Sequence, residues 1–417
     1  MRICVAAICR NEEKNMREWL EHVAGADAIS IVDTGSEDQT TNIISAFTHP
    51  NLYHMFDVSE ERNLGASREL AATPFSEDDL VVWLDIDERF DDPNWVETLR
   101  NTKHIKHAEA VWILMRNGDS HYQQMKAYRR RSYFWKYRAH EVLSSRKPGQ
   151  NLRTVEATFA TDHYPDHSKP RGYLLELGRD VGDYPHDDRC SFYYARELCY
   201  AVSYHERPDL LDDARREVDR LAGIARWADY VSIANIELAK AVFKQGFTQE
   251  AIAACYRAIA FRPDRIECYA MLADIFYRHN DMMNATGMAI QGIEVTKQNP
   301  KSFLFDQTAI NLDLCYETAY WGCRNLGMVE PALNYLAQLT IHRGENLEEA
   351  IQNSGLLAYL QQPATQEQTN DSEAIGEIDV GSTPTGENAA TGNSEQCGND
   401  NYEVRRVADN GEQSQPD

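Results

Sequence analysis

The sequence predicts an α/β domain built on a mostly parallel sheet, then an all-α helical array, then a disordered tail. Three observations lead to this prediction: continuous apolar runs that end in polar residues, small residues that recur at a helical-repeat spacing, and a carboxyl-terminal stretch with few apolar residues. We expect the domain boundaries at 1–168, 169–362 and 363–417. A length of 417 residues suits two domains and a tail.

The stretch Leu80–Glu88 carries the strongest local signal. Its apolar first half is typical of a strand buried on both faces, and it ends in Asp85 and Asp87. Because side chains alternate along a strand, both carboxylates would project to the same side. There they would hold Mg²⁺ or Mn²⁺ against a diphosphate at the carboxyl edge of the sheet. The alternative is a solvated acidic turn.

The amino terminus shows the same arrangement. An apolar run at Ile3–Ile8 predicts a first strand, followed directly by Arg10 and Glu12. A second strand at Ala28–Val32 closes in Asp33. Strand, helix and strand with polar residues at each strand end favour a nucleotide-binding α/β fold. Neither G-x-G-x-x-G nor G-x-x-x-x-G-K-[ST] is present, so a dinucleotide fingerprint and a P-loop are excluded.

Four sequence segments follow one another in the first part of the chain: ICRNEE, IVDTGSEDQT, ERNLGASRELA and VVWLDIDE. In this order and spacing the chain resembles the family-2 glycosyltransferases of the GT-A fold, and more narrowly the subset with tetratricopeptide repeats (TPR) after the transferase domain. The resemblance covers about residues 2–165 and 190–300. It implies a GT-A-type nucleotide-sugar domain that transfers a sugar, usually with a divalent metal and with inversion at the anomeric carbon.

The resemblance also assigns roles near the donor nucleotide. It places Arg10 and Glu12 beside the nucleotide and Asp33 against the base or ribose. Many relatives have two consecutive acids where this chain has Asp33 and Thr34, so base specificity cannot be carried over.

Further along the chain the resemblance assigns four more positions. Arg62 and Asn63 match an arginine-asparagine pair near the base, although both could instead be ordinary helix-start residues. Asp85 and Asp87 match the D-x-D motif, one nearer the ribose and the other on the metal.

An inverting transfer needs one base for the acceptor proton, and a metal offsets charge on the leaving diphosphate. Glu141 is the preferred base, and His140 could orient it; the two match a histidine-glutamate pair of the relatives. His163 follows a predicted strand and could join Asp85 and Asp87 as a metal ligand. A lone histidine is more often structural.

A short basic segment at 126–138 is interleaved with aromatic residues. Such a mixture would suit a diphosphate, a sugar face or an anionic acceptor such as nucleic acid. The alternative is a twisted edge strand whose charges face water.

Helical periodicity takes over after about residue 170. The unit that contains Gly246 and ends at Pro263 has small residues at TPR positions. Shifting the chain by 34 residues aligns three pairs of these small residues: Ala239 with Ala273, Ala251 with Ala285, and Ala258 with Gly292. Small residues let paired helices approach closely, and about four stacked pairs would share one core. The concave face of such an array would bind a partner that the sequence does not identify.

Charge and cysteine content limit the class of partner. The net charge is −24, and the tail from 363 has twelve acids against two arginines, which leaves −14 for the rest. This balance argues against broad binding to nucleic acid or anionic membrane. Nine scattered cysteines without C-x-x-C spacing indicate neither a zinc site nor a disulfide framework. With no apolar run of membrane-spanning length, we expect a cytoplasmic protein.

The favoured hypothesis is a metal-dependent, inverting glycosyltransferase of the hexosyltransferase type. Its substrates would be a nucleotide-sugar donor and an acceptor that is a protein, a glycan or a modified nucleic acid, with the repeats recruiting the acceptor or a partner. Two alternatives remain: a sugar nucleotidyltransferase, and a non-catalytic TPR adaptor with a relic transferase domain.

Overall fold

The computed structural model describes residues 1–59, 61–117, 120–165, 172–298 and 308–356. Both expected domain boundaries and the expected tail at 363–417 lie outside the described residues. Among the described helices, none is both long and apolar enough to cross a membrane.

The amino-terminal part alternates strands and helices, whereas the part after residue 172 is helical. The strands are β1 (Ile3–Cys9), β2 (Ala28–Asp33), β3 (Leu52–Phe56), β4 (Leu80–Trp83), β5 (Glu88–Phe90), β6 (Ala110–Asn117), β7 (Ser120–Tyr128), β8 (Tyr133–Lys136), β9 (Val142–Ser145) and β10 (Thr154–His163). The helices between them are α1 (Met16–Val23), α2 (Thr40–Ala46), α3 (Leu64–Ala72) and α4 (Trp95–Asn101). The later helices are α5 (Leu174–Asp183), α6 (Asp188–Tyr204), α7 (Leu211–Ile224), α8 (Ala228–Lys244), α9 (Thr248–Phe261), α10 (Ile266–Arg278), α11 (Met282–Gln298), α12 (Thr308–Asn325), α13 (Val329–Arg343) and α14 (Leu347–Ser354).

One sheet organises the amino-terminal domain, with the strand order β3-β2-β1-β4-β7-β6-β10-β5. Its first four strands are parallel, so β1, β2 and β4 all end at the same edge. Beyond β4 the pairing is mixed, because β7 runs antiparallel to both of its neighbours. Strands β8 and β9 form a separate antiparallel pair. The predicted α/β fold class is confirmed.

Helices cover both faces of the sheet. Helix α1 buries Met16, Trp19, Leu20 and Val23, which lie on one stripe because they are three or four residues apart. This stripe and Trp95 of α4 pack against one face of the sheet. Helix α3 lies on the other face and shares its core with the β8–β9 pair.

The helical part is a TPR-like array in which each hydrophobic core joins helices that follow one another in the chain. One core runs from α5 to α10, a second from α8 to α12, and a third from α12 to α14. Helix α9 ends at Phe261, just before Pro263. Five of the small residues aligned by the sequence are fully buried between helices: Ala239, Ala251, Ala258, Ala273 and Ala285.

One local expectation is wrong, and one helix was not predicted. Strand β4 ends at Trp83, so Asp85 and Asp87 lie in the turn before β5 and not on a strand. They therefore face different partners, described below. The sequence analysis also did not predict α5, which lies between the two domains.

Helix α3 approaches the segment after β8 so closely that only glycine fits at the contact. A Cβ atom at Gly65 would lie 2.3 Å from the backbone oxygen of Tyr137. The backbone N–H of Leu64 also donates to the oxygen of Arg138 at 2.9 Å. Helix position and loop position are therefore fixed together.

We expect Gly65→Ala to lower the free energy of unfolding by about 1–3 kcal/mol, because the new methyl group must displace backbone. Alanine's better helix propensity opposes this by roughly 1 kcal/mol. Gly223→Ala in α7 is the matched control, since a Cβ there meets nothing within 4 Å. Thermal unfolding should show a lower Tm for Gly65→Ala and an unchanged or higher Tm for Gly223→Ala. Equal behaviour of the two variants would contradict the close approach.

Candidate active site

Polar loops meet at the edge of the sheet where β1 and β2 end. Asn11, held at a positive φ of 54°, donates its backbone N–H to the Ser36 hydroxyl at 2.9 Å. Its side chain accepts from the N–H of Glu37 at 2.8 Å. Glu12 donates its N–H to the Thr40 hydroxyl at 2.7 Å. These bonds join the two loops, and they place Arg10 and Glu12 beside the end of β2.

Asp33, the last residue of β2, is buried, and its two carboxylate oxygens have different surroundings. Oδ1 accepts from the backbone N–H groups of Gly35 at 2.8 Å and Ser36 at 2.7 Å. Oδ2 is buried and forms no hydrogen bond of acceptable geometry. The Cys9 thiol lies beside it and stays protonated, because burial and the Asp33 carboxylate raise the pKa of Cys9. A buried carboxylate oxygen that has a thiol beside it and no hydrogen bond of good geometry keeps the capacity to accept a further hydrogen bond.

A buried arginine that the sequence analysis did not select joins Asp85 to Glu141. Arg68 on α3 has only 8% of its surface exposed. Its Nε donates to Oε1 of Glu141 at 2.6 Å, and its Nη1 forms an ion pair with Oδ1 of Asp85 at 2.9 Å. Its guanidinium carbon lies 5.0 Å from the ring centre of Trp83 and 4.9 Å from that of Trp135. The carboxylate of the D-x-D motif and the candidate base therefore share one cation.

The electrostatics of this group keep it charged. Burial opposes the charge on Arg68, but Asp85 and Glu141 outweigh burial and raise its pKa. Burial likewise opposes ionisation of Asp85, and here Arg68 and Lys126 prevail and lower its pKa. Asp85 is thus an anion at neutral pH.

A signal for Arg68 was present in the sequence. The buried positions of α3 include Gly65, Arg68, Ala71 and Ala72, spaced three and four residues apart. A charged residue on the buried stripe of a helix needs a partner inside the protein. The sequence therefore indicates that Arg68 has a partner inside the protein, but it does not identify that partner as Asp85 or Glu141.

A second buried ion pair lies beneath the turn. Lys126 and Glu88 are both buried, and the lysine Nζ lies 2.7 Å from each carboxylate oxygen. Glu88 Oε2 also accepts the backbone N–H of Asp85 at 2.9 Å. The Lys126 ammonium lies 3.4 Å from the centre of the Trp83 ring. This pair fixes the backbone that carries Asp85.

Asp87 faces a histidine. Nε2 of His163, at the end of β10, lies 3.3 Å from Oδ2 of Asp87. Burial opposes protonation of His163, but the hydrogen bond and charge of Asp87 outweigh it and raise its pKa. The backbone N–H of Tyr164 donates to the oxygen of Asp87 at 2.8 Å, which holds the two segments together.

The predicted set of three metal ligands is not assembled. Among the described residues there is no group of three or more histidine, cysteine or acidic side chains that could hold a metal ion. Asp87 and His163 form one pair, whereas Asp85 is bound to Arg68. Two protein ligands still fit Mg²⁺ or Mn²⁺, because such ions are commonly completed by substrate phosphates and water.

Two other predicted residues lie in packing contacts. The Arg62 guanidinium lies 4.8 Å from the ring centre of Tyr173, before α5. Asn63 caps α3 by accepting the N–H of Ala66 at 2.9 Å, which is the helix-start role left open by the sequence.

His140 does not orient Glu141. Its ring stacks on Tyr193 of α6, with ring centres 4.1 Å apart and planes 12° apart. Burial lowers the pKa of His140 to about 3, so it is neutral. Glu141 is held instead by Arg68. The expected orienting role is therefore corrected to packing, because the backbone at positive φ directs the imidazole into the helical part.

The basic segment at 126–138 is largely internal. Its basic side chains find partners within the protein: Lys126 with Glu88, Arg129 with the backbone oxygen of Ala108, Arg130 with that of Phe75, Arg131 with Glu109, Lys136 with Asp187, and Arg138 with Asp180 and Asp183. These pairs do not support the expected surface for an anionic acceptor. A cavity of about 920 Å³ lies elsewhere, between α4 and β10, and none of the candidate residues lines it.

We expect Arg68→Met to lower the free energy of unfolding by about 3 kcal/mol or more, because the largely buried Glu141 loses its arginine partner and Asp85 is left with the charge of Lys126. Arg131→Met is the matched control: Arg131 also pairs with two acids, Asp78 and Glu109, but is about one-third exposed. The control should cost about 1 kcal/mol or less. Chemical denaturation measures the free energy of unfolding of both variants. An equal decrease in the two would show that the ion pairs of Arg68 stabilise the fold no more than those of Arg131.

Comparisons with known proteins bear on the family and the fold. A family model described as Glycosyl transferase family 2 matches residues 4–163. A search of curated proteins found no match. Among solved structures, S. aureus TarS is 14% identical, with 58% of this chain and 54% of TarS covered at a TM-score of 0.37.

Two further structures match the helical part. MamA is 15% identical and covers 45% of this chain and 89% of its own, at a TM-score of 0.30. YrrB, described as a TPR protein with an unusual peptide-binding site, is 15% identical and covers 45% and 85%, at a TM-score of 0.33. Scores this low carry no conclusion about this chain. The conclusion rests instead on the family match and on the fold. The chain carries a glycosyl transferase family 2 domain, followed by a TPR-like helical region.

Proposed function

We propose that this protein is a metal-dependent, inverting glycosyltransferase of the hexosyltransferase type. It would move a sugar from a nucleotide-sugar donor to a hydroxyl or another nucleophile of an acceptor. The observation that carries the proposal is the ion-paired unit of Asp85, Arg68 and Glu141. It supports the proposal because it ties an acid of the donor-binding turn to a carboxylate suited to act as base.

Donor binding would use the edge formed by β1, β2 and β4. The buried Oδ2 of Asp33 would accept from the base or ribose, with Arg10 and Glu12 alongside. Asp87 and His163 would hold Mg²⁺ or Mn²⁺, with Asp85 adjacent. When bound, such a cation offsets the charge that develops on the diphosphate as it leaves.

Transfer would then need one proton acceptor. The acceptor oxygen attacks the anomeric carbon, the bond from that carbon to the diphosphate oxygen breaks, and the acceptor's proton passes to Glu141. Arg68 holds Oε1 of Glu141 at 2.6 Å, so we assign the proton to Oε2. A single displacement of this kind inverts the anomeric centre.

The helical region would recruit the acceptor or a protein partner. We place the reaction in the cytoplasm, which is supported by the cysteines of the described residues: all are buried and none is in a disulfide.

Asp87→Ala should abolish metal-dependent release of nucleoside diphosphate. We expect the wild-type protein, given a panel of nucleotide-sugars, to release product from at least one donor only when Mg²⁺ or Mn²⁺ is added. Asp78→Ala is the control, because Asp78 is an exposed acid paired with Arg131. Unchanged rates in Asp87→Ala would remove its metal role, and no release from any donor would favour the adaptor alternative.

Glu141→Gln should lower kcat by roughly 10²- to 10⁴-fold while donor affinity is kept, since the amide can still accept from Arg68 but cannot take a proton. Glu109→Gln is the matched control, because Glu109 also pairs with an arginine, Arg131 at 2.7 Å. Steady-state kinetics and donor titration separate the two effects. Full activity of Glu141→Gln would assign the base elsewhere.

A further inference from the structure

The loop that carries Glu141 is a strained connection between β8 and β9. Tyr137 and His140 have positive φ angles of 76° and 49°. Residues other than glycine reach this region at a cost, so neighbouring structure must hold the loop in place. The contacts that hold it come mainly from α5 and α6 of the helical region.

Asp180 of α5 forms hydrogen bonds with the middle of the loop. Its side chain is 1% exposed and accepts the backbone N–H of Arg138 at 2.8 Å. The Arg138 guanidinium donates to the same carboxylate at 3.1 Å and to Asp183 at 2.5 Å. One buried carboxylate therefore fixes both the backbone and the side chain of the residue three positions before Glu141.

Asp187 forms hydrogen bonds with the start of the loop and also caps α6. Its Oδ1 accepts the backbone N–H groups of Arg189 at 3.1 Å and Cys190 at 3.3 Å, which makes it the N-cap residue. Its Oδ2 accepts from Lys136 Nζ at 2.8 Å and from the Tyr137 hydroxyl at 2.6 Å. The beginning of α6 and the end of β8 thus share one carboxylate.

The loop also enters the core of the helical region. Ala139 is 2% exposed and belongs to the apolar cluster that includes Leu177 and Phe192. His140 stacks on Tyr193 and is neutral. On the opposite side, α3 closes against the loop at Gly65. Every residue from 137 to 140 is therefore fixed before the chain reaches Glu141.

We propose that α5 and α6 are a positioning element of the transfer site, in which Asp180 and Asp187 hold the loop so that the Glu141 carboxylate meets Arg68 and the acceptor. The inference rests on the proposed function, and it goes further by making the helical region part of the catalytic geometry. Asp180 and Asp187 are positioning residues, because they act through Glu141. In the proposed function the donor is held by Asp33 and by the turn that carries Asp85 and Asp87, so loosening the Glu141 loop should lower turnover more than donor affinity.

The test uses the full-length protein with Asp180→Leu, which removes the acceptor at nearly constant size, and Asp180→Asn, which keeps one acceptor oxygen. Asp212→Asn is the control, since this exposed α7 acid pairs with Arg215 of the same helix. We expect Asp180→Leu to lower kcat by about 100-fold with donor KM nearly unchanged, and Asp180→Asn to lie between it and wild type. Amide exchange at 138–141 should quicken in the same order, while exchange in β1 and β2 stays as in wild type.

If Asp180→Leu does not fold, Asp187→Asn carries the same test, because asparagine is itself a good N-cap and the substitution weakens only the hold on Lys136 and Tyr137. Wild-type exchange at 138–141 in the folded variants would overturn the inference whatever the activity. Faster loop exchange with wild-type kcat would overturn it as well. If the wild-type protein uses no donor, the proposed function fails, and the exchange measurement alone then decides whether the helices hold the loop.

Discussion

The arrangement of the site depends on one buried cation. Arg68 lies against two tryptophan rings and forms ion pairs with both Asp85 and Glu141, which come from different parts of the chain. Without it, two carboxylates would share a poorly solvated space, which is unfavourable. With it, both side chains are held in place. The ion pairs therefore fix the positions of the two carboxylates in addition to stabilising the fold. When Arg68 binds one oxygen of a carboxylate, the position of the other oxygen is also set.

The position of Arg68 in turn constrains its surroundings. Helix α3 begins at a cap formed by Asn63 and meets the β8–β9 connection at Gly65, where no side chain fits. The turn before β5 is held from below by the Lys126–Glu88 pair. A helix, a turn and a loop thus converge on one guanidinium, and each is fixed by contacts outside the site. Such outer support is what keeps a catalytic constellation in a single geometry.

Sequence reasoning predicted what depends on local pattern. The stripe of α1 was visible from spacing alone, and Asp33 was expected at the end of β2 because polar residues after buried strands gather at one edge. It did not predict what depends on contacts distant along the chain. Arg68 and Glu141 are 73 residues apart, and no spacing rule links them. For His140, the sequence gave no indication that a positive φ would turn the ring toward α6.

Contacts between residues distant along the chain also link the two domains. A loop with two non-glycine residues at positive φ does not hold its shape alone, since each such residue costs on the order of 1–3 kcal/mol. The stabilising contacts come from Asp180 and Asp187, beyond the transferase fold itself. The conformation of the Glu141 loop is therefore a property of the whole chain. A helical region added after a transferase domain would in this way contribute to the chemistry by fixing where the base stands, in addition to any partner it binds.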